Sequence, residues 1–121
     1  MKKLLIIDDD EQFRAFMSEA LSDRAYEVLT ASDGNAGLKC IASENPDLVI
    51  TDIVMPEKEG VEVIMELQKS EISIPIIAMS GGNLGNADSY LKMAKKLGAD
   101  SVISKPFQLN DLIAEIEKLL N

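Results

Sequence analysis

The sequence predicts an α/β fold: a doubly wound, five-stranded parallel sheet with helices on both faces. Five short apolar runs alternate along the chain with five segments whose apolar residues recur at helical spacing. The strand runs are apolar throughout instead of alternating, which is typical of parallel strands covered on both sides. Because crossovers between parallel strands are right-handed, such strand–helix units place helices on each face of the sheet.

The first half of the chain contains three predicted strands and two predicted helices. Strands are predicted over residues 4–7, 26–31 and 48–51, which are runs of mainly apolar or β-branched residues. Asp10 and Asp33 precede the two helical segments and are expected to cap them. The second helix is predicted over residues 35–43. The first shows helical spacing of its apolar residues, which are Phe13, Phe16, Met17, Ala20 and Leu21.

The second half contains two more strands, predicted over residues 74–79 and 101–104, with Pro75 near the start of the former. Gly98 is expected to end the helix between them. The glycine-rich stretch SGGNLGN, residues 80–86, is predicted to be a loop. Three helices are indicated by apolar faces, which are Val61, Ile64 and Leu67, then Tyr90, Leu91, Ala94 and Leu97, then Leu109, Leu112, Ile113, Ile116, Leu119 and Leu120.

Length and composition limit the classes of protein. The 121 residues fit one domain, residues 1–121, and 46% hydrophobic residues suffice for a core without disulfides. A net charge of −9 argues against a broad basic face for nucleic acid or an anionic membrane. The absence of histidine excludes imidazole ligands and phosphohistidine relays.

The N-terminus and the cysteine content indicate the compartment. The single cysteine, Cys40, cannot form an internal disulfide, so a reducing, cytoplasmic location is expected. Only four apolar residues follow the two lysines near the start before three aspartates, which is too few for a signal peptide. No apolar run approaches transmembrane length.

Polar side chains follow four of the predicted strands where each strand ends. They are Asp8 and Asp9 after the first strand, Asp52 after the third, Ser80 after the fourth and Lys105 after the fifth. In open parallel sheets, ligands bind outside the carboxyl ends of the strands. If these four strands are neighbours, the side chains form one pocket that holds carboxylates, a hydroxyl and an ammonium.

This combination of groups suits phosphoryl transfer. Clustered carboxylates repel each other, and a hard divalent cation such as Mg²⁺ removes the repulsion. A carboxylate beside Mg²⁺ can act as a nucleophile toward phosphorus, and Asp52 is the best candidate because it is solitary and on a central strand. Lys105 and the Ser80 hydroxyl would complete charge neutralisation. Each feature alone also fits a helix cap or a turn, and only their combination at four strand ends favours the functional interpretation.

The motifs that carry these residues resemble those of a response-regulator receiver domain of two-component signalling, of the single-domain, chemotaxis-regulator-like type. LLIIDDDEQFR is similar to the acidic pair of the first strand, and DLVITDIVMPEKEG to the phosphoacceptor segment, with Met55, Pro56 and Gly60 in its loop. PIIAMSG and ISKPF are similar to the fourth-strand and fifth-strand segments. The resemblance covers essentially the whole chain.

The resemblance implies both a fold and a site. The expected strand order is the flavodoxin-like 2-1-3-4-5, and the bond between Lys105 and Pro106 is expected to be cis. Asp52 would accept a phosphoryl group from a sensor histidine kinase or a small phosphodonor, with Lys105 and Ser80 meeting the phosphoryl oxygens. Mg²⁺ would be held by Asp52 and three further residues, which are Asp9, the backbone carbonyl of Val54 and, through water, Asp8.

The resemblance also implies a mode of output. The receiver would catalyse only its own phosphorylation and dephosphorylation, as a monomer or a phosphorylation-dependent dimer. The last helix could continue beyond Asn121 into a linker of a longer protein. For the chain as given, we expect output by binding an unidentified protein through the fourth helix, fifth strand and fifth helix. No direct nucleic-acid or membrane contact is expected.

Two departures from the family pattern bear on signalling. Val102 stands where the family usually has an aromatic switch residue, so the standard ring rotation is excluded. The loop at residues 80–86 is longer and richer in glycine than usual, which fits either a tolerated insertion or a segment that orders on phosphorylation.

Two alternative functions remain open at this stage. One is a Mg²⁺-dependent phosphohydrolase with an aspartyl nucleophile, which typically needs a second acid where Val54 stands. The other is an interaction module that works without phosphorylation, against which the complete set of Asp8, Asp9, Asp52, Ser80 and Lys105 argues.

Overall fold

The chain folds into alternating strands and helices in a computed structural model, which describes residues 1–53, 60–70, 72–81 and 87–121. The strands form one parallel sheet in the order β2-β1-β3-β4-β5. The predicted fold class and strand order are therefore confirmed. The elements are β1 (Lys3–Ile7), α1 (Glu11–Ser22), β2 (Glu27–Ala31), α2 (Gly34–Glu44), β3 (Leu48–Asp52), α3 (Gly60–Lys69), β4 (Ile76–Gly81), α4 (Ala87–Leu97), β5 (Ser101–Lys105) and α5 (Leu109–Leu120).

The apolar residues of each central strand alternate between two cores, one on each face of the sheet. Leu4 and Ile6 of β1 pack with α1 and α5, whereas Leu5 and Ile7 pack with α2 and α3. Both sides of β1 and β3 are fully buried, which explains why their sequences are apolar at successive positions. The two cores hold the strands in one register and so fix where each strand ends.

The edges of all five strands differ from the prediction by one or two residues, and the shift is largest at β4. β4 covers Ile76–Gly81 instead of residues 74–79, and β5 extends to Lys105 instead of ending at 104. Pro75 lacks a backbone N–H and precedes β4, although its carbonyl oxygen accepts a hydrogen bond from the Val49 N–H at 3.0 Å. Pairing of Gly81 with Lys105 carries both strands toward the carboxyl edge.

Two helix starts follow the predicted capping pattern. The Asp10 carboxylate accepts hydrogen bonds from the N–H groups of Gln12 and Phe13, and the Asp33 carboxylate accepts one from the Ala36 N–H. These aspartates satisfy donors that lack intrahelical partners. These caps fix the starts of α1 and α2 at the carboxyl edge of the sheet, directly after β1 and β2.

Two glycines serve where a side chain does not fit. A Cβ at Gly60 would clash with the backbone carbonyl oxygen of Asp52, so the start of α3 approaches the end of β3 closely. Gly98 ends α4, as expected, with a φ of +125° that side-chain-bearing residues rarely adopt. Gly60 therefore links the fold directly to the strand end that carries Asp52.

Candidate functional site

The parallel register brings the predicted site residues to one edge of the sheet. β3 lies between β1 and β4, and β5 follows β4 at the edge of the sheet. Asp52 is the last residue of β3 and pairs with Met79, directly before Ser80. Asp8 follows β1 immediately, and its N–H donates a 3.1 Å hydrogen bond to the Ala31 carbonyl oxygen. Residues at the ends of four strands therefore lie at the same edge of the sheet.

Three carboxylates meet at this edge of the sheet. Oxygen atoms of Asp8, Asp9 and Asp52 lie within 4.8 Å of one another. Asp8 is fully buried and Asp52 is 9% exposed, whereas Asp9 is exposed to solvent. An oxygen-only set of three carboxylates, open to water on one side, suits a hard divalent cation that keeps part of its hydration shell. The residues present therefore fit Mg²⁺.

Lys105 neutralises two of these acids. Its Nζ lies 2.6 Å from Oδ2 of Asp8 and 3.1 Å from Oδ2 of Asp52, and it donates hydrogen bonds to both. Burial by itself would lower the pKa of the Lys105 ammonium, but its hydrogen bond to Asp8 and the charges of Asp52 and Asp8 outweigh this and raise its pKa above the ordinary value. The lysine is therefore charged across the physiological range.

The loop that carries the acids is fixed by backbone hydrogen bonds. The N–H of Asp10 donates to Oδ1 of Asp8 at 2.9 Å, and the Arg14 guanidinium donates to the carbonyl oxygen of Asp8 at 2.7 Å. Both oxygens of the Asp8 carboxylate are thus engaged, one by the loop and one by Lys105. Asp8 is therefore held in one orientation, and its neighbour Asp9 is left facing solvent.

Ser80 contributes a buried hydroxyl beside the strand end of β3. The residue has no exposed surface, and its Oγ has no hydrogen-bond partner among the described residues. Because buried hydroxyls are nearly always paired, an unsatisfied one marks a place where a ligand or a conformational change can supply the partner. The hydroxyl is compatible with the predicted contact to a phosphoryl oxygen.

Sequence reasoning missed three residues at this site. The Lys105 ammonium lies 4.1 Å from the ring centroid of Phe13, and that ring meets Phe107 edge-on at 6.2 Å. Phe13 was assigned only to the apolar face of the first helix, and Arg14 was not considered. The signal available was position: Phe13 and Phe107 lie within five residues of Asp8 and Lys105 in a chain with only three phenylalanines.

Several predicted features fall in other places. Val54, Met55, Pro56 and residues 82–86 lie outside the described residues. The bond between Lys105 and Pro106 is cis, as expected. Val102 is half-buried and packs against the core on the α2–α3–α4 side of the sheet. In the described part of the chain, the helices are all too short or too polar to cross a bilayer.

Comparison with known proteins identifies relatives of the whole chain. A sequence profile described as "Response regulator receiver domain" matches residues 4–117. The alkaline phosphatase synthesis transcriptional regulatory protein PhoP of Bacillus subtilis is 33% identical over 98% of this chain and 48% of its own length. A probable transcriptional regulator, ycf27, of Cyanophora paradoxa is 40% identical with the same coverage. The chain thus spans about half the length of these curated relatives.

A solved structure shows the same likeness in three dimensions. The response regulator protein TrrA from Thermotoga maritima, solved in complex with Mg²⁺-BeF, superposes with a TM-score of 0.87 at 34% identity. The match covers 99% of this chain and 100% of that one. Together with the profile match over residues 4–117, these relatives show that the chain belongs to the response regulator receiver domain family of two-component signalling.

Proposed function

We propose that residues 1–121 act as one receiver domain whose Asp52 accepts a phosphoryl group in a Mg²⁺-dependent reaction. The observation that carries the proposal is the convergence of three carboxylates and one ammonium at the carboxyl edge of the sheet, with ligand oxygens within 4.8 Å of one another. The cytoplasmic donor is a sensor histidine kinase or a small phosphodonor. TrrA, described in complex with Mg²⁺-BeF, supports the ion and phosphoryl-like chemistry by similarity.

The reaction is a displacement at phosphorus. A carboxylate oxygen of Asp52 forms the new bond to phosphorus, and the bond between phosphorus and the donor atom breaks, with its electron pair leaving on the donor. Mg²⁺ bound by Asp8, Asp9 and Asp52 would neutralise charge on the acids and on the transferring group. The Val54 carbonyl is the fourth proposed ligand. Asp8 and Asp9 would keep the cation beside Asp52 while the phosphoryl group is transferred.

Lys105 and Ser80 would meet the phosphoryl oxygens. Because the Lys105 ammonium already donates to Oδ2 of Asp52 at 3.1 Å, a short movement suffices for it to follow charge onto the phosphoryl group. The Ser80 hydroxyl, which has no hydrogen-bond partner in the part of the chain that the structure describes, would gain one in the phosphorylated state. This gain occurs in one state only, so it biases a two-state equilibrium of β4 and its neighbours toward the phosphorylated conformation.

The output of this equilibrium is a change in protein binding. The proposed surface is α4, β5 and α5, next to the strand ends that carry Ser80 and Lys105. The relatives that are described as transcriptional regulators are about twice as long as this chain. The acidic receiver, with a net charge of −9, is proposed to bind protein and not nucleic acid.

Intact mass spectrometry tests the phosphoacceptor. The chain is incubated with acetyl phosphate and Mg²⁺, and we expect a mass gain of one phosphoryl group. The gain should be absent in Asp52→Asn and in wild-type protein with EDTA. Asp33→Asn is the matched control, since Asp33 caps α2 after a different strand and should leave the mass gain intact.

The outcomes separate the competing functions. Stoichiometric phosphorylation that persists in Asp52→Asn would contradict the assignment of the acceptor. Continuous release of inorganic phosphate far beyond one equivalent, at a rate proportional to enzyme, would support a phosphohydrolase instead. No mass gain with acetyl phosphate, phosphoramidate or kinase would support an interaction module that works without phosphorylation.

A further inference from the structure

We propose that Phe13 is a positioning residue for the phosphoryl-transfer site, because its ring face holds the Lys105 ammonium between Asp8 and Asp52. The inference rests on the proposed function and adds a residue to it. The carboxylates supply the ammonium with directed hydrogen bonds, and the ring supplies a surface without a competing acceptor.

The Lys105 ammonium is surrounded by two carboxylates and one aromatic ring. Two N–H directions of the Lys105 ammonium are taken by carboxylate oxygens at 2.6 and 3.1 Å. A third side faces the Phe13 ring, with Nζ 4.1 Å from the ring centroid, well within the distance for a cation–π interaction. The lysine side chain is only 21% exposed, so the ring replaces water that would otherwise solvate the ammonium.

The ring itself is fixed from two directions. The Phe13 N–H donates to the Asp10 carboxylate at 3.1 Å, which ties its backbone to the loop that carries Asp8 and Asp9. Its ring packs edge-on against Phe107 at an interplanar angle of 89°. Phe107 follows Lys105 by two residues, so the aromatic pair joins the loop after β1 to the loop after β5.

This arrangement has a consequence for the reaction. When a phosphoryl group joins Asp52, the ammonium must shift from carboxylate oxygen to phosphoryl oxygen without leaving the site. A ring face attracts the cation over an area and not along one hydrogen-bond direction, so it retains the charge while allowing lateral movement. An aliphatic side chain at position 13 would fill space but would not attract the ammonium.

The test compares phosphorylation rate constants with acetyl phosphate at saturating Mg²⁺ in the full chain. Phe13→Leu removes the ring, and we expect a rate about threefold to tenfold lower. Phe13→Tyr keeps the ring face and should restore the rate to within about twofold. Phe16→Leu is the matched control, because it makes the same aromatic-to-aliphatic change in an exposed ring of the same helix, α1.

A double-mutant cycle separates attraction of the cation from packing. In a Lys105→Met background, Phe13→Leu should not slow phosphorylation further, since the ammonium is already gone. A second readout needs no phosphodonor: proton NMR of the Lys105 Cε methylene should show an upfield ring-current shift in wild type and Phe13→Tyr. The shift should vanish in Phe13→Leu.

The outcomes are unambiguous. Equal loss of rate in Phe13→Leu and Phe16→Leu, an undiminished effect of Phe13→Leu without the Lys105 ammonium, or no ring-current shift in wild type would each overturn the positioning role alone. Failure of the wild-type chain to accept any phosphoryl group would overturn the proposed function and this role with it. Slower phosphorylation in Phe13→Leu, with rescue by Phe13→Tyr, supports the inference.

Discussion

Lys105 and Asp8 are ninety-seven positions apart in the chain, yet the Nζ of Lys105 lies 2.6 Å from the Oδ2 of Asp8. Lys105 ends β5 and Asp8 follows β1, and the strands β3 and β4 lie between these two in the sheet. Beyond the strand ends, the Lys105 ammonium meets the Asp8 carboxylate and also contacts Asp52 of β3. The ammonium thereby occupies the acidic pocket and balances charge that a divalent cation would also balance.

Removing this ammonium should have opposite effects on stability and on metal binding. In Lys105→Met without Mg²⁺, the free energy of unfolding should fall by about 1–3 kcal/mol, because Asp8 and Asp52 lose their contact with the ammonium. The partial exposure of the lysine limits the size of this loss. Mg²⁺ affinity should rise several-fold, since the cation no longer competes with an ammonium. Urea unfolding and calorimetric Mg²⁺ titration measure the two effects.

Lys118→Met provides the control, since it removes an exposed lysine from the last turn of α5. Its unfolding free energy and Mg²⁺ affinity should both stay close to wild type. Weaker Mg²⁺ binding in Lys105→Met would mean that the lysine supports the metal site and does not compete with it.

Stability without Mg²⁺ should decline at alkaline pH because of Lys105. Its pKa in the folded chain is raised above 10.5, so the folded state holds the proton more tightly than the unfolded state. The contribution is therefore complete below the unfolded pKa and is lost as pH rises through the folded pKa. Urea unfolding from about pH 8 to about 11 should show a steeper decline in wild type than in Lys105→Met.

Tyr26 needs its own control in that experiment. Burial and the charge of Glu117 raise the pKa of the Tyr26 phenol above 10.0, so its contribution to stability is lost in the same alkaline range. Tyr26→Phe removes this contribution and should leave the Lys105-dependent decline in place. Identical pH profiles for wild type and Lys105→Met would contradict the raised pKa of the lysine.

The cap of α1 should be measurable as stability. Asp10→Ala leaves the N–H groups of Gln12 and Phe13 without their carboxylate acceptor, and we expect a loss of about 1 kcal/mol. Asp10→Asn retains an oxygen that can accept both hydrogen bonds, so most of the stability should be kept. Chemical denaturation decides between them, and equal losses in both variants would show that the charge, not the cap, matters.

Ser80→Ala should affect the unphosphorylated and the phosphorylated states of the site differently. Ser80 Oγ is buried and unpaired among the described residues, so its removal should leave the unfolding free energy unchanged or raise it by up to about 1 kcal/mol. Affinity for Mg²⁺-beryllofluoride, a phosphoryl mimic, should fall because a hydrogen bond in that state is lost. A stability loss of more than about 1 kcal/mol would indicate that the hydroxyl has a partner in the unphosphorylated protein.

Much of the fold follows from pattern alone. Runs that are apolar at successive positions predicted buried parallel strands, and both faces of β1 are covered. Asp10 and Asp33 were predicted as caps because short acidic side chains before apolar helical segments satisfy free N–H groups. The predicted start of β4 was two residues early, because the prediction used apolar residues alone. Pro75 is apolar but has no backbone N–H to donate to a neighbouring strand.

The structure brings Asp8, Asp9, Asp52 and Lys105 together, but the sequence did not indicate how each side chain is oriented. Asp8 and Asp9 are adjacent and chemically identical, yet the structure buries the first completely and exposes the second. That difference comes from hydrogen bonds of the Asp10 N–H and Lys105 to the Asp8 carboxylate, and one of these partners lies at the far end of the chain. The contact of Phe13 with Lys105 also escaped prediction, because helical spacing assigns it only to an apolar face.

The amino-acid sequence by itself determined the alternation of elements, the caps and the kind of chemistry available at the strand ends, since these depend on residues close together in the chain. Only the tertiary structure decided which acid is buried, which oxygens the Lys105 ammonium contacts and which ring supports it. Those choices depend on how α1 and the loop after β5 pack against the same edge of the sheet, and packing between distant segments leaves no periodic trace in the sequence.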